Sequence, residues 1–155
     1  MSISCRVTRG DLTESIHVAF AVVVDGNGEI IFSTGDPHYL TCIRSSLKPF
    51  QAAASVRSGA IDSAGFNDKE LALMCASHKG EDMHVETAMS MLDKLGLHVD
   101  DYECGSHFPS DRITRHGMIT DKKVAKPLHN NCSGKHAGML ALAKHLGGET
   151  RGYVH

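Results

Sequence analysis

The stretch RSSLKPFQAAAS, residues 44–55, is where the sequence changes period, and its reading decides the fold. Before it lie β-branched runs at 3–9 and 16–24, and the segment VVVDGNGEIIF, residues 22–32. Asp-Gly and Asn-Gly supply positive φ cheaply, so this segment reads as strand, tight turn, strand. After it the apolar residues recur at helical spacing. Pro49 has no N–H, and its ring would strike the carbonyl four residues back, so it fits a helix only in the first turn. A helix is therefore expected to start between Ser45 and Lys48 and run to Gly59.

Working outward, an antiparallel meander opens the chain and Gly35-Asp36-Pro37 ends it. A second helix is expected near Asn67, which can cap it while Glu70 reaches back. A third is expected over Asp82–Leu95, stopped by Gly96. Residues 100–130 read as irregular around a short helical piece near 111–116. The last helix follows HNNCSGKH, with Ser133 as its cap, and Gly147-Gly148 closes it. Strands first and helices afterwards make the expected class α+β, an antiparallel sheet packed with helices. About three strands, with both outer ones unpaired, leave that sheet incomplete.

The chain has 155 residues, 41% of them apolar and 22% charged, with a net charge of −2. That is the composition of one folded domain. The absence of a basic block argues against a nucleic-acid surface. No apolar run approaches a membrane span. The N-terminus lacks the apolar core of a signal peptide, so a cytoplasmic location is expected. Five cysteines make no even framework of disulfides.

Three polar clusters could carry chemistry. In the first, Ser45 stands one turn before Lys48, and a serine becomes a nucleophile when a neighbour takes its proton. The lysine must be neutral to act, and neutralising one of ordinary basicity at pH 7 costs about 4–5 kcal/mol. The rival reading is a helix cap beside a solvated lysine. The second cluster is CASHKGE, residues 75–81. Here Ser77 is a second hydroxyl and Glu81 an acid, or else His78 and Lys79 simply complement a helix dipole. The third is HNNCSGKHAGM, residues 129–139, where crowded polar groups at a helix start suit an anion or a carboxylate. Cys75-x-x-His78, Cys104-x-x-His107 and Cys132-x-x-x-His136 also have spacings that metal ligands use.

With these segments assembled, the chain resembles the asparaginase II-type L-asparaginases, also called Rhizobium etli-type or thermolabile. The likeness rests on VTRG (7–10), RSSLKPFQ (44–51), ELALMCASHKGE (70–81), ECGSHFP (103–109) and LHNNCSGKHAGM (128–139). It implies hydrolysis of L-asparagine to L-aspartate and ammonia on a fold like that of the serine β-lactamases and glutaminases. It implies Ser45 and Lys48 as one Ser-Lys pair and Ser77 as the serine of another. Arg44, His78, Gly80, Glu81, Asn130 and Asn131 are expected to bind substrate. Cys132 and Lys135 resemble two ligands of a zinc ion that tunes substrate binding, which demotes the three Cys/His spacings to coincidence.

The resemblance also implies that this chain is the N-terminal half of a domain about twice as long. The lysine partnering Ser77 and a further cysteine ligand would then lie beyond residue 155, on a C-terminal half. The family suggests a homodimer, and the activity of this half alone stays open. Other readings are a β-lactamase-, penicillin-binding-protein- or glutaminase-like serine hydrolase, and a non-catalytic zinc-binding fragment.

Overall fold

The computed structural model describes residues 3–155, which divide into two compact units, 3–42 and 43–155. The class is α+β, as expected, but the first unit is not a meander. It holds two separate two-stranded antiparallel sheets. Strand β1 (Ile3–Arg9) pairs with β2 (Leu12–Ala19), and β3 (Ala21–Val24) pairs with β4 (Ile30–Thr34). The run 16–24, read as one strand, breaks at Phe20 between β2 and β3. The Phe20 ring stacks on Tyr39 with centroids 4.6 Å apart. The turn at Gly10-Asp11 that closes the first hairpin went unread because no Asn-Gly or Asp-Gly pair marks it. The second turn behaves as its residues dictate. Asp25 Oδ1 accepts the N–H groups of Asn27 and Glu29 at 2.8 and 2.9 Å.

The second unit is helical and carries the core. A 3-10 turn over Arg44–Leu47 leads into α1 (Lys48–Arg57), with Pro49 in its first turn as predicted. A short α2 (Ala60–Ala64) follows, unread in the sequence, set between left-handed Gly59 and Gly65. Helix α3 (Asp68–Cys75) opens with the expected capping box. Asn67 Oδ1 accepts from Lys69 and Glu70, and Glu70 Oε2 accepts from the Asn67 N–H. Helix α4 (Asp82–Leu95) ends at left-handed Gly96. Helix α5 (Arg112–Thr120) is longer than the piece expected near 111–116.

Helix α6 (Ser133–His145) lies against α1, α2, α3 and α4. Its cap is Cys132, not Ser133. The Ser133 hydroxyl is buried and used elsewhere, as described below. The core joins Leu73 and Met74 of α3, Ala88, Met91 and Leu92 of α4, and Ala137, Leu140 and Ala141 of α6. Glycines let α6 approach α3 closely: a Cβ on Gly134 would sit 2.4 Å from the Leu73 carbonyl oxygen, and one on Gly138 2.2 Å from the Met74 methyl. That approach sets the end of α3 beside the start of α6. No described helix is long and apolar enough to cross a membrane.

Candidate active site

Lys48 is the first residue of α1 and, unusually for a lysine, is buried. Proline in the first turn fixes where the helix begins, and so which way Lys48 leaves it. The preceding Arg44 adopts φ +50°, a left-handed conformation rare for a residue with a side chain. The chain thereby turns sharply just before the Ser-x-x-Lys block.

The Lys48 amine does not meet Ser45, as the spacing suggested. It donates to the Ala76 carbonyl at 2.6 Å and the Asn131 carbonyl at 3.4 Å, and lies 2.9 Å from Ser77 Oγ. Local geometry explains the change. Ser45 lies in the 3-10 turn, and its carbonyl accepts the Lys48 backbone N–H. Helix α3 ends at Cys75 and Ala76 is extended, which frees the Ala76 carbonyl and swings Ser77 toward the lysine. The second serine thus already has a lysine within residues 1–155. Ser45 is exposed and lines a cleft of about 430 Å³ together with Arg44, Leu47, Lys48, Gln51, Cys132 and Lys135. Gln51 escaped the sequence reading, although its position one turn after Lys48 on α1 was the signal that could have found it.

The remaining residues expected to bind substrate fall into different settings. Arg44 lines the cleft. Glu81 is half-buried and precedes α4, making no side-chain cap. Gly80 has φ +80°, and a Cβ there would come within 3.1 Å of Pro109 and of the His129 carbonyl. Asn130 is buried, with its amide committed to the loops: Nδ2 donates to the Cys104 and Gly105 carbonyls at 2.7 and 3.2 Å, and Oδ1 accepts the Cys132 N–H at 2.9 Å. Asn131 gives its carbonyl to Lys48 and to the His78 N–H (3.2 Å), and its own N–H donates to His107 Nε2 at 3.2 Å.

His78 is buried, and both ring nitrogens are engaged within the protein. Nδ1 accepts the Gly80 N–H at 3.1 Å, and Nε2 lies 2.8 Å from Ser133 Oγ. Its ring stacks on His84 with centroids 5.0 Å apart. Burial first, then the neighbouring His84, Lys48, His107 and His129, push its pKa down to about 4. His136 of α6, which donates to or accepts from Tyr153 OH at 2.9 Å, is also lowered to about 4, chiefly by burial.

Cys132 and Lys135 stand one turn apart at the start of α6, on the same wall of the cleft. A thiolate sulfur and a neutral amine are donors that suit zinc, which takes four ligands. Among the described residues no group of three His, Cys, Asp or Glu could hold a metal, so these two would be part of a set. All five cysteines are free. The Cys/His spacings do not assemble into a cluster: Cys104 Sγ meets the Gly105 and Pro127 carbonyls, and its thiol is pushed up to about 11 by burial.

A family model described as L-asparaginase II matches residues 5–155. No curated protein matches the chain.

Proposed function

The chain belongs to the L-asparaginase II family, and from that membership we propose that it takes part in hydrolysing the side-chain amide of L-asparagine, with Ser77 as nucleophile and Lys48 as its base. The observation that supports this reading is the 2.9 Å contact between the Lys48 amine and Ser77 Oγ. A neutral amine has two N–H bonds and one lone pair. The carbonyls of Ala76 and Asn131 can only accept, so they take the two N–H bonds. The lone pair is left for the Ser77 hydroxyl proton. That polarity is what a general base needs.

In this scheme Ser77 Oγ attacks the amide carbon as its proton passes to Lys48. The Gly134 and Lys135 N–H groups of α6 would be the donors to the oxyanion, since the Ser133 and His136 N–H groups go to the Asn130 and Cys132 carbonyls. The resulting lysine ammonium protonates the departing nitrogen, ammonia leaves, and an aspartyl ester remains on Ser77. Water, deprotonated by the same amine, then releases L-aspartate. Ser45 and Arg44 stand on the wall of the neighbouring cleft. Arg44 supplies a cation for the substrate's α-carboxylate, and Ser45 is the competing nucleophile. Cys132 and Lys135 would hold the zinc ion, with further ligands from outside residues 1–155, on a continuing chain or a partner. When bound, it would supply a positive charge that fixes the substrate carboxylate.

Ammonia release from asparagine by the Ser77→Ala and Ser45→Ala variants tests the scheme. Turnover should fall by about 10²-fold or more in Ser77→Ala, the range for loss of a nucleophile or its base. A near-normal rate in that variant, with the loss confined to Ser45→Ala, moves the nucleophile to Ser45. Near-normal rates in both end the proposal. A chromogenic β-lactam and glutamine, assayed alongside, separate this reading from other Ser-Lys hydrolases.

A further inference from the structure

We infer that His78 is a positioning residue: a neutral ring of one fixed tautomer whose Nε2–H bond to Ser133 holds the Ser77 loop against Lys48. The inference rests on the reading that Ser77 and Lys48 form the reacting pair.

The direction of each hydrogen bond follows from its neighbours. The Gly80 N–H points at Nδ1, so Nδ1 carries the lone pair and the ring proton is on Nε2. Nε2–H then donates to Ser133 Oγ at 2.8 Å, and the Ser133 hydroxyl donates onward to the Leu128 carbonyl at 3.2 Å. A ring proton on Nδ1 would face the Gly80 N–H, and the Leu128 carbonyl can only accept. Ser133 is wholly buried and His78 is 4% exposed, so water cannot replace these bonds cheaply. With both nitrogens committed, the ring has no polar atom left for substrate. It acts through what it holds.

What it holds is a short run of chain with every residue tied. Ala76 gives its carbonyl and Ser77 its hydroxyl to Lys48. The His78 N–H goes to the Asn131 carbonyl, which Lys48 also approaches. The ring goes to Ser133, the first residue of α6. That last bond is the side-chain link between the serine loop and the helix that opens with Cys132 and Lys135. Without it the loop keeps the His78 N–H on the Asn131 carbonyl, the Asp111 N–H on the Lys79 carbonyl and the two Lys48 contacts, but no side-chain bond to α6. A displacement near 1 Å at a reacting oxygen costs about 10²-fold in rate.

Two isosteric replacements separate the two ring bonds. Glutamine places an amide N–H donor near the position of Nε2 and keeps the Ser133 bond. Asparagine places an acceptor near Nδ1 and keeps only the Gly80 bond. In the full chain, His78→Gln should keep kcat for asparagine within about fivefold, while His78→Asn and Ser133→Ala each lower it about tenfold or more, with KM within about twofold. Equal rates in the two histidine variants would overturn the inference. So would a raised KM with kcat preserved, because that marks a ring in contact with substrate.

Two readouts need no turnover, so they stand if the asparaginase reading itself fails. Side-chain ¹⁵N spectra of the wild-type chain should show His78 as the Nε2–H tautomer at pH 7, and the Nδ1–H tautomer would refute the relay. The Lys48 Cε–H resonance should shift in His78→Asn and stay near its wild-type position in His78→Gln. An unmoved resonance in both would show that the ring does not position the lysine's partner.

Discussion

The two units of the chain use apolar residues in opposite ways. In residues 3–42 the strands are rich in Val, Ile and Phe, yet Leu12 is 77% exposed and Ile31 66%. In residues 43–155, Ala88, Met91, Leu92, Ala137 and Leu140 are fully removed from water. Strand propensity explains why the first unit forms hairpins, and among the described residues most of their apolar side chains stay exposed. The helical unit has α6 as a central element with helices on its flanks. Regular backbone structure and a core are thus separate achievements, and only the second unit has both.

Truncation of a core side chain should expose that difference most strongly. Leu92→Ala removes a branched side chain from a site with no access to water, and it should cost about 3–5 kcal/mol in chemical denaturation. Ile31→Ala, at a largely exposed site, should change stability by no more than about 0.5 kcal/mol. Similar losses in the two variants would mean that the strand face is covered in solution, and the contrast would break. Hydrogen exchange should give the same order, with amides of β3 and β4 exchanging well before those of α4 and α6.

Close backbone approach is the next test. A methyl group on Gly134 would meet the Leu73 carbonyl at 2.4 Å, and a backbone atom cannot swing aside. Gly134→Ala should therefore cost about 2–3 kcal/mol despite alanine's better helix propensity. It should also depress turnover, because α3 carries Ser77 just past its end. Gly26→Ala, in the hairpin turn with no atom near the added carbon, should leave stability almost unchanged. Equal stability of the two variants would show that the two helices can separate without loss.

Protonation offers a gentler perturbation. His78 titrates near 4 in the fold against an ordinary value of 6.5, because burial and the nearby His84, Lys48, His107 and His129 disfavour its cation. Between those two values the unfolded chain binds a proton that the folded chain refuses. Folding stability therefore falls as pH drops from about 6.5 toward 4, and is at its full value above that range. Thermal melts at pH 7 and 4.5 should show this fall in the wild type and a smaller one in His78→Gln. Carboxylates and His136 contribute equally to both proteins, so the difference isolates the ring. No difference between the two would place His78 in water.

Much of the helical unit was legible in the sequence because its signals are local. Pro49 located the start of α1, Asn67 with Glu70 specified a capping box, and Gly96 ended α4. The candidate site was legible in composition but not in pairing. Ser45 and Lys48 are one turn apart and line the same cleft, but the polar partners of the buried Lys48 amine are Ala76, Ser77 and Asn131. The partner Lys48 does find is 29 residues away. Such a contact depends on α3 ending where it does and on α6 packing closely enough to set that end. Likewise, Ser133 looks like a cap in one dimension and becomes a buried relay only when His78 arrives from another loop. In the first unit the break at Phe20 was hidden because an apolar run of strand formers carries no mark of which neighbour it pairs with.

The smallest effect concerns the two best-formed ion pairs, one in each unit. Glu70 in α3 is 1% exposed and receives Lys94 at 2.7 Å, with further bonds from the Asn67 N–H and the Ser90 hydroxyl. Arg9 and Glu14 meet across the first hairpin at 2.6 Å, but their side chains are 81% and 47% exposed. The shorter contact is the weaker one, because water screens both charges and each long side chain gives up rotamer freedom to hold the geometry. Arg9→Ala should thus change stability by less than about 0.5 kcal/mol, and 0.5 M salt should not alter that result. Lys94→Ala should lose clearly more, since it strands a carboxylate inside the protein. If Arg9→Ala proves the more damaging of the two, the first hairpin is not open to solvent, and its exposed strands are an interface.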